Sequence, residues 1–105
     1  GGNKMTMVEV KTIEELKSIT RGTLVKIVGQ HSNGVKLVEE GRVHEPLNNC
    51  MITLINCDGE TISDTWIRFN PKSNNIVCVD YVGNDFYSDM PQHQELLEAW
   101  EGYQK

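Results

Sequence analysis

Residues 65–82, TWIRFNPKSNNIVCVDYV, contain two β-prone runs around a turn-rich centre. Residues 66–69 and 76–82 are rich in β-branched and aromatic side chains, which favour strands. Pro71 pre-sets the backbone for a turn, and the asparagines beside it tolerate left-handed conformations. The stretch therefore predicts a β-hairpin with a four-residue loop at 71–74.

The predicted register of this hairpin pairs Phe69 with Ile76 and Ile67 with Cys78. Side chains alternate across a strand, so these four residues share one face. The opposite face then holds Trp66, Arg68, Val77, Val79 and Tyr81. Both faces are largely apolar, which places the hairpin centrally, in a curled sheet or under helices.

Turn signals divide the remaining sheet region, 23–82, into further strands. Asn33-Gly34 and Asp58-Gly59 are tight-turn pairs, Gly41 suggests a bend, and Pro46 is expected to end a strand. Pairing across Asp58-Gly59 places Ile55 opposite Ile62. A row of Cys50, Ile67 and Cys78 would follow, with Ile52 and Leu54 on the same inward face. Cys50 and Cys78 would lie two strands apart, too far for a disulfide.

Helices are predicted at both ends of the chain. Thr12 and Glu15 form a capping box that opens a helix over 12–21, which Gly22 would end. Ser88 or Asp89 is expected to cap a second helix over 90–103, with Pro91 in its first turn. Residues 7–10 are a possible short strand.

The predicted fold class is mainly β with helical ends (α+β), in one domain over 1–105. Its expected form is a small, partly closed antiparallel β-barrel, SH3-like or Sm-like in shape. The alternative is an open five-stranded antiparallel sheet with both helices on one face. Residues 1–4 are interpreted as a cloning remnant or a disordered end.

The charge of the chain is concentrated in its last quarter. The net charge is −5, although residues 1–79 carry equal numbers of acidic and basic side chains. Residues 80–104 contain no Lys or Arg, and their carboxylates are Asp80, Asp85, Asp89, Glu95, Glu98 and Glu101. Such a segment argues against binding a nucleic-acid backbone, and no membrane association is expected. A solvated acidic helix face is the plain structural interpretation.

An acidic surface also steers association with basic partners. The leading hypothesis is a non-catalytic binding or regulatory module that engages a partner protein, as an inhibitor, immunity or anti-defence protein would. Its partner-binding residues would be Asp89, Glu95, Glu98 and Glu101. The chain is long enough to form a core without disulfide bonds, and it has an odd number of cysteines. Both features indicate a reducing compartment, so a cytoplasmic location is expected.

Two alternatives come from other residues. Trp66, Arg68 and Tyr81 could line a pocket for an anionic ligand or nucleotide in a homo-oligomer, since arginine among aromatics can grip a phosphate. The structural explanation of Arg68 is a stem that covers the sheet and a head that pairs with Asp64 or Asp80. A small metal-dependent enzyme would instead draw on Asp80, Asp85, Asp89 or His93.

Signals for catalysis are weak in this sequence. No cysteine has a clear neighbouring base, and no nucleotide-binding or nucleophile-elbow motif occurs. The sequence therefore predicts no catalytic residues, no cofactor and no resident metal, and an enzyme is the less favoured class.

Overall fold

The computed structural model describes residues 6–105, and these residues are mainly β. The elements in chain order are β1 (Val8–Val10), α1 (Ile13–Lys17), β2 (Leu24–His31), β3 (Lys36–Asn48), β4 (Met51–Asp58), β5 (Thr61–Phe69), β6 (Val77–Phe86) and α2 (Pro91–Tyr103). The strands form one sheet in the order β1-β2-β3-β4-β5-β6. The interpretation of residues 1–4 lies outside the described residues.

Five of the strands form a ring of hydrogen bonds. Strands β2 to β6 pair antiparallel in sequence order, and β6 then pairs with β2 in parallel. At that junction Gln30 N–H donates to the Ile76 carbonyl oxygen at 3.0 Å, and Ser32 N–H donates to that of Cys78 at 2.9 Å. The open antiparallel sheet is therefore not the observed arrangement. Strand β1 confirms the possible short strand at residues 7–10 and pairs with β2 in parallel.

Two turns differ slightly from their predictions. The β2–β3 loop has three residues, Ser32 to Gly34, and Gly34 supplies its positive φ of 90°. A three-residue loop with glycine in the left-handed region is the next commonest hairpin after the two-residue form. In the β4–β5 turn, Asp58 pairs with Thr61, so Ile52 rather than Cys50 lies opposite Ile67. This two-residue shift leaves the inward face unchanged.

The register predicted for the hairpin at 65–82 is wrong. Phe69 pairs with Cys78, whereas Ile67 pairs with Tyr81 and Trp66 with Val82. The change of offset between Arg68 and Phe69 reflects a β-bulge at Val79, where two residues oppose one. Beyond the bulge the alternation is inverted, so Tyr81 shares the face of Ile67 and not that of Trp66 and Arg68.

Strand β3 bends later than predicted. Gly41 pairs regularly with Val25, and the irregularities lie between Val43 and Glu45 and between Glu45 and Asn48. Pro46 is part of the strand instead of ending it, because a bulge tolerates a missing N–H. The connection to β4 is a two-residue turn in which Asn49 and Cys50 both have positive φ, at 51° and 60°.

The main core fills the ring, and the predicted inward face is confirmed. Its five predicted members are all nearly inaccessible: Ile52, Leu54, Ile67, Phe69 and Ile76. Helix α1 adds Ile13 and Leu16 to this core. The Thr12 hydroxyl accepts from the amide of Glu15 at 3.1 Å, as the capping box requires, although the helix is shorter than the predicted 12–21.

Helix α2 covers part of the outside of the sheet and makes a second core. Leu96 packs there on Ile55 and Ile62, with Trp100 and Tyr103 at the margin. The helix begins after Met90, which is its N-cap and makes no side-chain cap hydrogen bond, so the predicted cap at Ser88 or Asp89 is wrong. Strand β6 also continues to Phe86, through much of the loop expected before the helix.

Candidate functional site

The outer face of α2 presents a row of carboxylates to solvent. Glu95, Glu98 and Glu101 are exposed, whereas His93 and Leu96 on the other side of the helix are buried. A spacing of three residues keeps the glutamates on neighbouring parts of the helix surface. We call Glu95, Glu98 and Glu101 the acidic ridge.

Both ends of α2 are fixed to the sheet. Near the start of the helix, His93 Nε2–H donates to the Glu60 carbonyl oxygen at 3.0 Å. Near its end, the Tyr103 hydroxyl and His44 Nδ1 share a hydrogen bond of 2.8 Å. The acidic ridge therefore stands on a held helix and not on a free tail.

Arg42 ties the end of α2 to the rest of the chain, and the sequence interpretation did not single it out. This buried guanidinium donates from Nη1 to the Gly22 carbonyl oxygen at 2.9 Å and from Nη2 to Gln104 Oε1 at 3.3 Å. A charged residue inside a predicted strand was the sequence signal that could have identified Arg42. Its position at the helix C-terminus also suits the negative end of the dipole.

The ion pairs Lys17–Glu14, Arg21–Glu45 and Arg68–Asp80 do not include a ridge glutamate. Glu98 accepts only a hydrogen bond from the neutral Gln94, at 3.2 Å. Glu98 and Glu101 also lie towards the negative end of the helix, which disfavours them. The helix dipole therefore gives no reason for these two charges.

The three predicted ligand-binding residues are divided between two faces. Trp66 and Arg68 lie on the outer face of β5, where Arg68 Nη2 contacts Asp80 Oδ2 at 2.9 Å. Tyr81 lies on the inner face of β6, as the bulge requires. The pairing of Arg68 with Asp80 matches the structural explanation, and ligand binding by these three residues stays a prediction.

Tyr81 contacts residues of two other strands, β2 and β3. Its hydroxyl donates to Glu39 Oε2 at 2.9 Å, and its ring meets that of His31 edge-on, with 6.1 Å between centroids. Burial, followed by the hydrogen bond to Glu39, raises the pKa of Tyr81 to about 12. Glu39 was missed, although it interrupts the inward apolar positions of β3.

A shallow cleft of about 270 Å³ opens beside Tyr81. Its lining comprises residues 31–33 of the β2–β3 turn and residues 78–81 of β6. The thiol of Cys78 lies at its base, where burial raises the pKa of the thiol. Such a thiol is a poor nucleophile, because the thiolate is the reactive form.

Three of the four residues of the metal-enzyme alternative have separate partners. Asp80 pairs with Arg68, and Asp85 accepts from the Ser63 hydroxyl at 2.6 Å. His93 Nε2–H donates to the Glu60 carbonyl oxygen. Within the described part of the chain, no three His, Cys, Asp or Glu side chains are grouped so as to hold a metal ion. All three cysteines are free thiols.

Comparison with protein-family models, with curated proteins and with solved structures finds no match to this chain. Function is therefore inferred from the geometry of the described residues.

Neither α1 nor α2, the helices found within residues 6–105, is both long and apolar enough to cross a membrane.

Proposed function

We propose that this chain is a non-catalytic binding module whose acidic ridge engages a basic surface of a partner protein. The observation that supports the proposal is the exposure of Glu95, Glu98 and Glu101 on a helix that is anchored at both ends. Asp89, exposed just before the helix, extends the same charge.

A held row of carboxylates suits recognition by charge. The partner meets charges that are already in place, so less conformational entropy is lost on binding than with a flexible acidic tail. The repulsion between the like charges of the free protein is reduced when lysine or arginine side chains of the partner approach them. Complementary charge of this kind mainly raises the association rate and selects the partner.

This proposal accommodates an inhibitor, an immunity protein or an anti-defence protein, each of which blocks a partner by covering it. The ring of strands would serve as the scaffold, and we assign it to a partly closed barrel of SH3-like or Sm-like form. Three free thiols are compatible with a reducing compartment, so we place the encounter in the cytoplasm.

Comparative capture from the native host tests the proposal. The wild type is compared with a ridge variant, Glu95→Gln, Glu98→Gln and Glu101→Gln, and with a control variant, Glu9→Gln, Glu40→Gln and Glu60→Gln. The control residues are also exposed glutamates outside the ion pairs, so both variants change the charge equally.

A specific basic partner should be recovered with the wild type and the control at similar yield, and at least about tenfold less with the ridge variant, since several charge contacts are lost together. Equal recovery with all three proteins would contradict the assignment to the ridge. Recovery of no specific partner would contradict the binding function.

A further inference from the structure

The outer face of the sheet is covered by α2 at one end only. The covered end carries Ile55 and Ile62. Further along β4, β5 and β6, cross-strand pairing places Met51 beside Arg68 and Asp80, and Trp66 beside Val82. Directly paired residues project from the same side of a sheet. These five residues form what we call the outer patch.

The outer patch combines apolar surface with one compact ion pair. Met51 is 41% exposed, and Val79, in the bulge beside the patch, is 48% exposed. Trp66 and Val82 are half-buried, and no residue of α2 packs on them within the second core. Contiguous apolar surface with a polar component is typical of an interaction site, and a central tryptophan is a common anchor in such sites.

The charges of the outer patch indicate which partner fits. Arg68 and Asp80 lie side by side at 2.9 Å and sum to zero, in contrast to the acidic ridge. A uniformly basic or acidic partner would repel one of the two. A copy of the same patch, turned by a twofold axis, presents Asp80 to Arg68 and Arg68 to Asp80.

We propose that the outer patch binds a second copy of this chain in an isologous dimer, with Trp66 at its centre and Arg68 paired with Asp80 across the interface. The inference uses residues outside the acidic ridge and does not rest on the proposed function. The apolar part of the patch spans three strands and is small, so the dimer is weak and reversible, with a Kd of about 1–100 μM, as small interfaces have.

Charge-separated variants test the dimer. Arg68→Asp makes both charged positions acidic, and Asp80→Arg makes both basic. Each variant alone should sediment as a monomer at about 100 μM, where the wild type dimerises, because a twofold interface then opposes like charges. An equal mixture of the two variants should recover the dimer, because an acidic patch then meets a basic one. Neither variant can form the Arg–Asp pair within its own chain, so recovery must come from contacts between chains.

Control substitutions isolate the outer patch from net charge. Lys72→Asp, in a turn, and Asp58→Arg, at the end of β4, make the same charge changes at exposed residues outside the outer patch and should leave dimerisation intact. If either charge variant fails to fold by circular dichroism, Trp66→Ser tests the same interface and should be monomeric. The proposal is overturned by a wild type that stays monomeric to about 1 mM, well above the Kd expected for this interface, by a mixture that does not associate, or by loss of the dimer in the controls.

Discussion

The hydroxyl of Tyr81 donates a 2.9 Å hydrogen bond to the carboxylate of Glu39, 42 residues earlier in the chain. Glu39 belongs to β3 and Tyr81 to β6, two strands that do not pair with each other. The bond therefore joins the two strands that flank β2 in the ring. The bulge at Val79 is what turns Tyr81 inward to make this contact.

The stability of the protein should depend on pH in the alkaline range through Tyr81. The folded state raises the pKa of Tyr81 from 10.0 to about 12, so the unfolded chain releases the phenol proton first. The stabilisation is complete below pH 10 and is lost as the pH rises from 10 through 12. We predict that Tyr81→Phe costs about 1 kcal/mol at pH 8, the usual value of one hydrogen bond.

The difference in unfolding free energy between wild type and Tyr81→Phe, measured by urea titration from pH 8 to pH 12, checks this prediction. Taking the difference cancels the contribution from Tyr103, where burial also raises the pKa. The difference should decrease steadily as the pH rises from 10 to 12. A constant difference across the range would contradict the raised pKa of Tyr81 in the folded state.

Phe69 is the largest of the fully buried side chains. Phe69→Ala should lower the free energy of unfolding by about 3–5 kcal/mol, because lost burial and an unfilled cavity add together. Phe86→Ala is the matched control, since Phe86 is only half-buried at the edge of the second core. Chemical denaturation measures both, and a loss below about 1 kcal/mol at position 69 would contradict the assigned core.

Gly29 lies on β2, next to Ile76, the residue that precedes β6. A Cβ atom at position 29 would overlap the Ile76 carbonyl oxygen and lie 2.6 Å from Ile76 Cγ2. We predict that Gly29→Ala destabilises the protein by about 1–3 kcal/mol, as overpacking does. Thermal unfolding with Gly102→Ala as control checks this, because open space surrounds Gly102 in α2 and alanine there should stabilise by about 0.5 kcal/mol. Equal effects of the two substitutions would argue against the close approach at the ring junction.

Local signals predicted the elements of this fold well. The capping box at Thr12 and Glu15 and the helix after Pro91 depend on neighbouring residues, and both are present. The inward face survived a wrong register, because the β4–β5 pairing moved by two residues and side chains alternate with a period of two. The faces of the sheet were therefore easier to predict than its pairings.

Features that depend on distant residues were missed. Nothing near Val79 in sequence indicates a bulge, yet this one residue separates Tyr81 from Trp66 and Arg68. The pairing of His31 with Cys78 closes the ring between strands far apart in the chain, and no local pattern specifies it. The exposed glutamates of α2 were predicted because charge is visible in sequence, whereas the anchoring by Arg42 required the fold.

The association rate with the captured partner tests the central claim, that the acidic ridge is a binding surface, most directly. The rate for wild type, ridge variant and control variant is measured by stopped flow at low and at physiological ionic strength, where the Debye length falls to about 8 Å. We predict that the ridge variant keeps wild-type stability or gains slightly, associates about tenfold more slowly at low salt, and loses most of the salt dependence that the control retains. A ridge variant that associates at the wild-type rate in low salt would contradict the claim and leave the ridge as a solvated helix face.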